Sequence, residues 1–182
     1  MNTSSNIKNI GVSGLAAYIP PYRVWLEDWC DWTDNQWPKI REVVGRSFRV
    51  RGPDQSVYTM AATAVMRLIE QYDVDPTRVK FLGLGTESST DNSAGSVIIK
   101  GMVNDGLRAR GKATLPRECE VPEFKHACLG GVYAMKGALR YLATDGSGRQ
   151  AIVVSADLAQ YARGSSGEQT QGAGEVAVGH LF

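Results

Sequence analysis

The sequence is organised around one stretch, Glu123-Phe124-Lys125-His126-Ala127-Cys128-Leu129-Gly130-Gly131. A short apolar run, 121–124, leads into it, and a helical pattern, 132–142, leads out of it. This order predicts that Cys128 lies where a strand gives way to a helix. Backbone N–H groups at a helix N-terminus stabilise an anion, so a thiolate there is favoured as a nucleophile. A buried structural cysteine is the competing interpretation, but the two adjacent glycines favour the nucleophile.

The composition is that of a single globular domain. With 182 residues the chain can bury roughly 70% of its unfolded surface. The formal net charge of +1 gives no support for nucleic acid or an anionic membrane as a partner. Three cysteines without a CxxC pair form neither a disulfide framework nor a zinc site, so we expect no metal and a reducing, cytoplasmic location. No run approaches the ~20 apolar residues of a membrane helix.

Short apolar runs alternate with helical patterns along the chain. Alternation of this kind predicts βαβ units, and therefore an α/β fold with a mostly parallel, five-stranded sheet and helices on both faces. We expect this fold to span 10–182 and to follow a flexible N-terminus, 1–9. Strands are predicted at 10–19, 79–85, 121–124, 151–155 and 172–181, and helices at 25–32, 38–44, 54–72, 93–107 and 132–142.

Two irregular stretches have competing interpretations. The basic, glycine-bounded segment 45–52 is read either as a solvated loop, which is favoured, or as a contact for a phosphate-bearing substrate. The segment 164–174 is rich in turn formers. It lacks the Gly-Lys-Ser/Thr ending of a phosphate-binding P-loop, so a nucleoside triphosphate site is not expected.

Three polar groups follow predicted strands, namely Glu87, Cys128 and the segment 157–161. Functional groups of parallel sheets gather beyond the carboxyl ends of the strands, so these three mark a candidate active site. Glu87 is either a general acid/base or merely a neighbour of serine and threonine residues that cap the next helix. His126 either reaches the sulfur of Cys128 or, as we favour, is a hydrogen-bonded packing residue.

Four motifs in this order resemble the N-terminal half of the hydroxymethylglutaryl-CoA synthase family, in the thiolase superfamily. The resemblance runs from about Ile10 to about Val178 and implies a thiolase-like fold. The motifs are Gly85-Thr86-Glu87-Ser88, Ala127-Cys128-Leu129-Gly130-Gly131, Ser155-Ala156-Asp157-Leu158-Ala159-Gln160-Tyr161 and Ser166-Gly167-Glu168-Gln169-Thr170-Gln171-Gly172-Ala173-Gly174.

The resemblance implies a Claisen-like condensation of acetyl-CoA with a β-ketoacyl thioester. Cys128 matches the cysteine that is acetylated, and Glu87 matches the general acid/base that deprotonates the acetyl methyl group. Tyr161 matches a residue of the acyl site, and the motif positions of Gly130 and Thr170 imply substrate binding. Acetyl-CoA is then a substrate and no cofactor is expected. The acceptor is either an acyl-CoA or an acyl-carrier-protein thioester.

The resemblance covers only the first of two similar halves in that family. The second half supplies the active-site histidine, and His126 stands where the family commonly has asparagine. A single half exposes a helix face, so we expect a homo- or hetero-oligomer with a chain that supplies the C-terminal half. The alternatives are a non-catalytic scaffold subunit of an acyltransferase assembly and an inactive truncated fragment, the latter suggested by Glu175 within the last predicted strand.

Overall fold

The computed structural model describes residues 10–89, 91–158, 160–171 and 176–181, and their arrangement is the expected α/β fold. Two single 3₁₀ turns, Pro76–Arg78 and Ala127–Leu129, each lead directly into a regular element. In chain order the elements are β1 Val12–Tyr18, β2 Tyr22–Trp25, α1 Leu26–Thr33, α2 Trp37–Val43, β3 Ser47–Val50, α3 Val57–Gln71, β4 Val79–Gly85, α4 Gly95–Ala109, β5 Glu123–Phe124, α5 Gly130–Ala143, β6 Gln150–Ala156, α6 Ser166–Gln171 and β7 Val176–Leu181.

The main sheet has five strands in the order β1-β7-β6-β4-β5. The neighbours β6, β4 and β5 are parallel, whereas β7 is antiparallel to both β6 and β1. Strand β1 therefore points the same way as the three parallel strands. The five predicted strands are confirmed, each with bounds within a few residues of those expected.

Helices cover both faces of this sheet because its central strands are apolar on both sides. On one face, alternate residues of β4 and β6 pack with α3 and α4 in the larger core. On the other face, the intervening residues pack against α5. The first set is Leu82, Leu84, Ile152 and Val154, and the second is Phe81, Ala151 and Val153.

The basic segment 45–52 is not the solvated loop that the sequence suggested. Its central residues form β3, which pairs antiparallel with β2 in a separate two-stranded sheet. Phe48 turns inward and meets Trp29 of α1 edge to face, with ring centroids 6.5 Å apart. Arg49 turns outward and donates to the carbonyl of Pro21 at 3.3 Å. Phe48 therefore lies on the face of β3 that packs against α1, and Arg49 lies on the opposite face, with both residues partly exposed.

One side of the main sheet is incompletely covered. Helix α5 lies on this side, and its outer surface leaves Val132 60% exposed and Leu129 49% exposed. Leu15 of β1 alternates with the buried Ala16, so it points to the same side as α5, and it is 62% exposed. We call Leu15, Leu129, Val132, Tyr133 and Met135 the uncovered face.

No helix in the described part of the chain is both long and apolar enough to cross a bilayer.

Candidate active site

Close backbone packing joins three strand ends to the start of α5. Gly85 pairs with Phe124 of β5 and with Ser155 of β6, so the three strands end in register. A Cβ at Gly85 would lie 2.1 Å from the Gly131 nitrogen, and a Cβ at Gly131 would lie 2.0 Å from Ser155 Oγ. Glycine fits both positions because atoms of the neighbouring element occupy the space that a Cβ would need. The segments that follow β4, β5 and β6 therefore start at one edge of the sheet.

Cys128 sits at this edge and is exposed. It is the middle residue of the 3₁₀ turn that connects β5 to α5, which confirms the predicted change from strand to helix. Ala127, just before it, has a φ of +42°, a conformation that a residue with a Cβ rarely adopts. Such backbone strain is maintained only by surrounding contacts and is concentrated at functional sites.

Asp157 holds the segment that carries Glu87. Its Oδ1 atom accepts hydrogen bonds from the Glu87 N–H at 2.9 Å, from Ser88 Oγ at 2.8 Å and from Thr86 Oγ1 at 3.1 Å. Ser88 Oγ in turn accepts from the N–H of Leu158 at 2.6 Å. The end of β4 is thus tied to the end of β6, and the backbone of Glu87 is fixed while its side chain remains exposed.

The helix that follows Glu87 is not capped by the serines before it. Helix α4 begins only at Gly95, and the first N–H groups of its N-terminus donate to Asp91 Oδ1 and Glu123 Oε2. Ser88 is bonded to Asp157, and Ser89 donates to Glu123 Oε1 at 2.7 Å. The interpretation of Glu87 as a neighbour of serine caps is therefore wrong for both serines, and Thr90 lies outside the described residues.

The other predicted site residues lie around this edge with different surroundings. Gly130 is buried, donates its N–H to the Ala127 carbonyl and leaves no room for a Cβ against Phe124 O, so the structure shows it in packing contacts. Tyr161 is 46% exposed and its ring lies against Gly167. Thr170 is in α6, and its side chain lies outside the described residues. Substrate binding by these three stays a prediction.

His126 and the remaining cysteines are also placed. The His126 ring lies 4.7 Å from the Tyr133 ring of α5, centroid to centroid, which fits a packing role. Cys30 and Cys119 are buried, whereas Cys128 is exposed. Burial raises the pKa of the Cys119 thiol to about 11. Among the described residues, no group of histidine, cysteine and carboxylate side chains has the arrangement of a metal site.

A cleft of about 500 Å³ opens beside the two-stranded sheet of β2 and β3. Two tryptophans and two arginines line it, together with Glu27 and Asp28. One of the arginines, Arg46, belongs to the basic segment for which the sequence offered a phosphate contact as an alternative. The four are Trp25, Trp37, Arg41 and Arg46.

The N-terminal family model of hydroxymethylglutaryl-coenzyme A synthase matches residues 6–180. The hydroxymethylglutaryl-CoA synthase ERG13 of Gibberella zeae is 30% identical over 179 residues, which are 96% of this chain and 37% of that protein. The hydroxymethylglutaryl-CoA synthase of Enterococcus faecalis is 28% identical over 93% of this chain and 41% of its own length. The chain thus spans well under half the length of these curated relatives.

Solved structures agree with this assignment. The structure of MvaS in complex with 3-hydroxy-3-methylglutaryl coenzyme A superposes with a TM-score of 0.82 at 34% identity, covering 94% of this chain and 39% of that one. The HMG synthase of the curacin pathway in complex with an apo donor-ACP has a TM-score of 0.78 at 21% identity, covering 94% and 39%, and supports the fold alone. By sequence and by its thiolase-like fold, the chain belongs to the hydroxymethylglutaryl-CoA synthase family and corresponds to its N-terminal portion.

Proposed function

We propose that this chain is the nucleophile-bearing portion of an acyltransferase that forms an acetyl-S-Cys128 intermediate and condenses it with a β-ketoacyl thioester. One observation carries the proposal. The glycine packing places the exposed Cys128 and the Asp157-held Glu87 segment at adjacent strand ends, beside the first turn of α5. Membership of a family of condensing enzymes supports the same chemistry.

In the proposed reaction, the Cys128 thiolate attacks the carbonyl carbon of acetyl-CoA. The C–S bond to CoA breaks, and the CoA thiolate leaves as the acetyl group becomes attached to Cys128. The N–H of Cys128 is the candidate donor to the oxyanion of the tetrahedral intermediate.

Glu87 acts in the second step as a base and then as an acid. Its carboxylate takes a proton from the acetyl methyl group, and the resulting carbanion forms a C–C bond to the keto carbon of the acceptor. The alkoxide produced takes the proton back from Glu87, and water then releases the product from Cys128.

Tyr161 contributes to the acyl pocket, and Arg41 and Arg46 in the cleft suit the phosphates of a CoA ester.

Mass spectrometry of the chain after incubation with acetyl-CoA tests the first step. We expect a single acetyl adduct that is absent in Cys128→Ala. Cys119→Ala is the matched control, since this cysteine is buried and its variant should retain the adduct. If no adduct forms even when a C-terminal portion of the family is supplied, the proposed function is wrong.

We further propose that a second polypeptide portion, corresponding to the rest of the relatives' length, covers the uncovered face. Five large apolar side chains are exposed on this side of the molecule, and exposed apolar surface of this extent suits an interface. Val132→Glu with Met135→Glu should abolish co-purification with such a portion and leave the far-UV circular dichroism unchanged. Retained co-purification would show that another surface is used.

The uncovered face also favours a second candidate function, that of a non-catalytic scaffold subunit. In that case Cys128→Ser would leave both the assembly and its activity unchanged. In the catalytic case the same variant loses activity while the assembly persists.

A further inference from the structure

The buried carboxylate of Glu123 lies between β5, which leads to Cys128, and the segment that carries Glu87. Glu123 belongs to β5, five residues before Cys128, and its side chain is 0% exposed. Oε1 accepts from Ser89 Oγ at 2.7 Å, and Oε2 accepts from the N–H of Gly95 at 2.7 Å. Burying an ionised carboxylate is unfavourable unless it is paired and hydrogen-bonded, and here both of its oxygens are bonded to the segment that follows Glu87.

Lys125, the residue that follows β5, reaches the same segment. Its Nζ atom donates to the Asp91 carbonyl at 2.6 Å and to the Ser89 carbonyl at 3.4 Å. It also lies 3.7 Å from Glu123 Oε1, so it compensates the buried negative charge. The pair thus ties β5 to the middle and the far end of the segment.

The segment between β4 and α4 has no regular secondary structure in its described residues, 86–89 and 91–94. Fixing one residue of such a segment costs about 1–2 kcal/mol of backbone entropy, so its conformation depends on contacts made by other elements. Asp157 supplies them at the near end, beside Glu87. Glu123 and Lys125 supply them beyond it, at Ser89, Asp91 and Gly95.

We infer that Glu123 and Lys125 are positioning residues that hold the Glu87 carboxylate in register with Cys128. This inference rests on the proposed function, in which Glu87 removes a proton from the acetyl group on Cys128. The two residues touch neither reacting group. They act by joining β5, which leads into the turn that carries the nucleophile, to the segment that carries the base. A displacement of about 1 Å in such an arrangement can cost up to about a hundredfold in rate.

The test measures the Glu87 step separately from the Cys128 step. In the assembly in which Cys128 acetylates, exchange of the acetyl methyl protons with D₂O reports proton removal by Glu87. We expect Glu123→Gln and Lys125→Met to slow this exchange about tenfold to a hundredfold and to change the rate of adduct formation by less than about twofold. Amide hydrogen exchange at residues 88–95 should become about tenfold faster in both variants.

The matched control is Glu118→Gln, which changes the same group on a 68% exposed side chain paired with Lys80. It should alter neither methyl exchange nor amide exchange at 88–95. Unchanged methyl exchange in Glu123→Gln and Lys125→Met, with exchange abolished in Glu87→Gln, would overturn the positioning role and leave the proposed function intact. If Glu123→Gln does not fold, Lys125→Met decides, because that side chain is 35% exposed.

Two results would overturn the proposed function and the positioning role with it. One is a wild-type chain that forms no adduct even when the C-terminal portion is supplied, and the other is a Glu87→Gln variant that still exchanges the methyl protons.

Discussion

The contact between α5 and β6 can be tested with one added methyl group. In Gly131→Ala the new Cβ would lie 2.0 Å from Ser155 Oγ, whereas ordinary contacts begin at 3.4 Å. Either the Ser155 hydroxyl rotates out of its present position, or the helix and the strand move apart by more than 1 Å. Overpacking of this kind costs about 1–3 kcal/mol. For a chain of this length, a loss of about 2 kcal/mol lowers the Tm by about 4–8 °C.

The partner atom can be removed independently. Ser155→Ala deletes Oγ and leaves its own Cβ 3.2 Å from the new methyl group, a contact that needs only a small adjustment. We therefore expect Gly131→Ala/Ser155→Ala to regain about 1–2 kcal/mol relative to Gly131→Ala, measured by urea unfolding as the coupling energy of a double-mutant cycle.

Gly101→Ala is the matched control for this cycle. Gly101 lies inside α4 with nothing within 4 Å of a built Cβ, so alanine there should raise stability by about 0.5–1 kcal/mol. A coupling energy of zero would refute the reasoning, because the two substitutions would then be independent.

Three other predictions concern the same edge of the sheet. Ala127→Gly should raise the free energy of unfolding by up to about 1 kcal/mol in urea titration, since glycine adopts the φ of +42° without strain; a loss of stability would show that the surroundings favour the alanine. Although burial opposes it, hydrogen bonds from Tyr58 and the Ala94 N–H, together with Lys125, lower the pKa of Asp91. The folded pKa of Asp91 is below its unfolded value, so its contribution to the free energy of unfolding is complete above about pH 4 and is lost as the pH falls through the folded pKa. The stability difference between wild type and Asp91→Asn should therefore be smaller at pH 3 than at pH 7, and an equal difference would contradict this. Iodoacetamide at pH 8 should modify one of the three cysteines in the folded chain, namely the exposed Cys128. Burial raises the pKa of Cys119 to about 11 and also raises that of Cys30, so these two thiols should react slowly. Rapid labelling of Cys128→Ala would show that a buried thiol is accessible.

Elements with strong apolar periodicity were predictable from the sequence. The buried faces of α3 and the continuous apolar run of β4 each allow one interpretation, so their positions were found within a few residues. The two-stranded sheet of β2 and β3 was missed because arginines alternate with Phe48 and Val50, and the charges obscured the period of two. Helix α6 was missed because its six residues include no apolar side chain, so no hydrophobic periodicity marks it.

At the candidate site, the sequence indicated individual groups and not their supports. Cys128 and Glu87 were found from their positions after predicted strands and from the family motifs. The bonds from Asp157 to Glu87 and from Glu123 to Gly95 join residues that are 70 and 28 positions apart. Such pairings depend on the order of strands in the sheet, which periodicity does not reveal, so Glu123 and Lys125 carried no signal of their own.

The position of β7 between β1 and β6 sets the order in which the sheet can be completed during translation. Within the described sheet, β1 hydrogen-bonds to β7 alone, and Val12 pairs with Leu181. A ribosome that has released residues up to β6 has therefore exposed β4, β5 and β6 together with α3, α4 and α5, while the first strand still lacks its partner. Pairing between such distant segments slows folding, because the entropy cost of closing the loop comes before the contacts that compensate it. The apolar side chains of β1 remain available for non-native contacts until β7 emerges. Assembly of the five-stranded sheet is therefore a late and cooperative event.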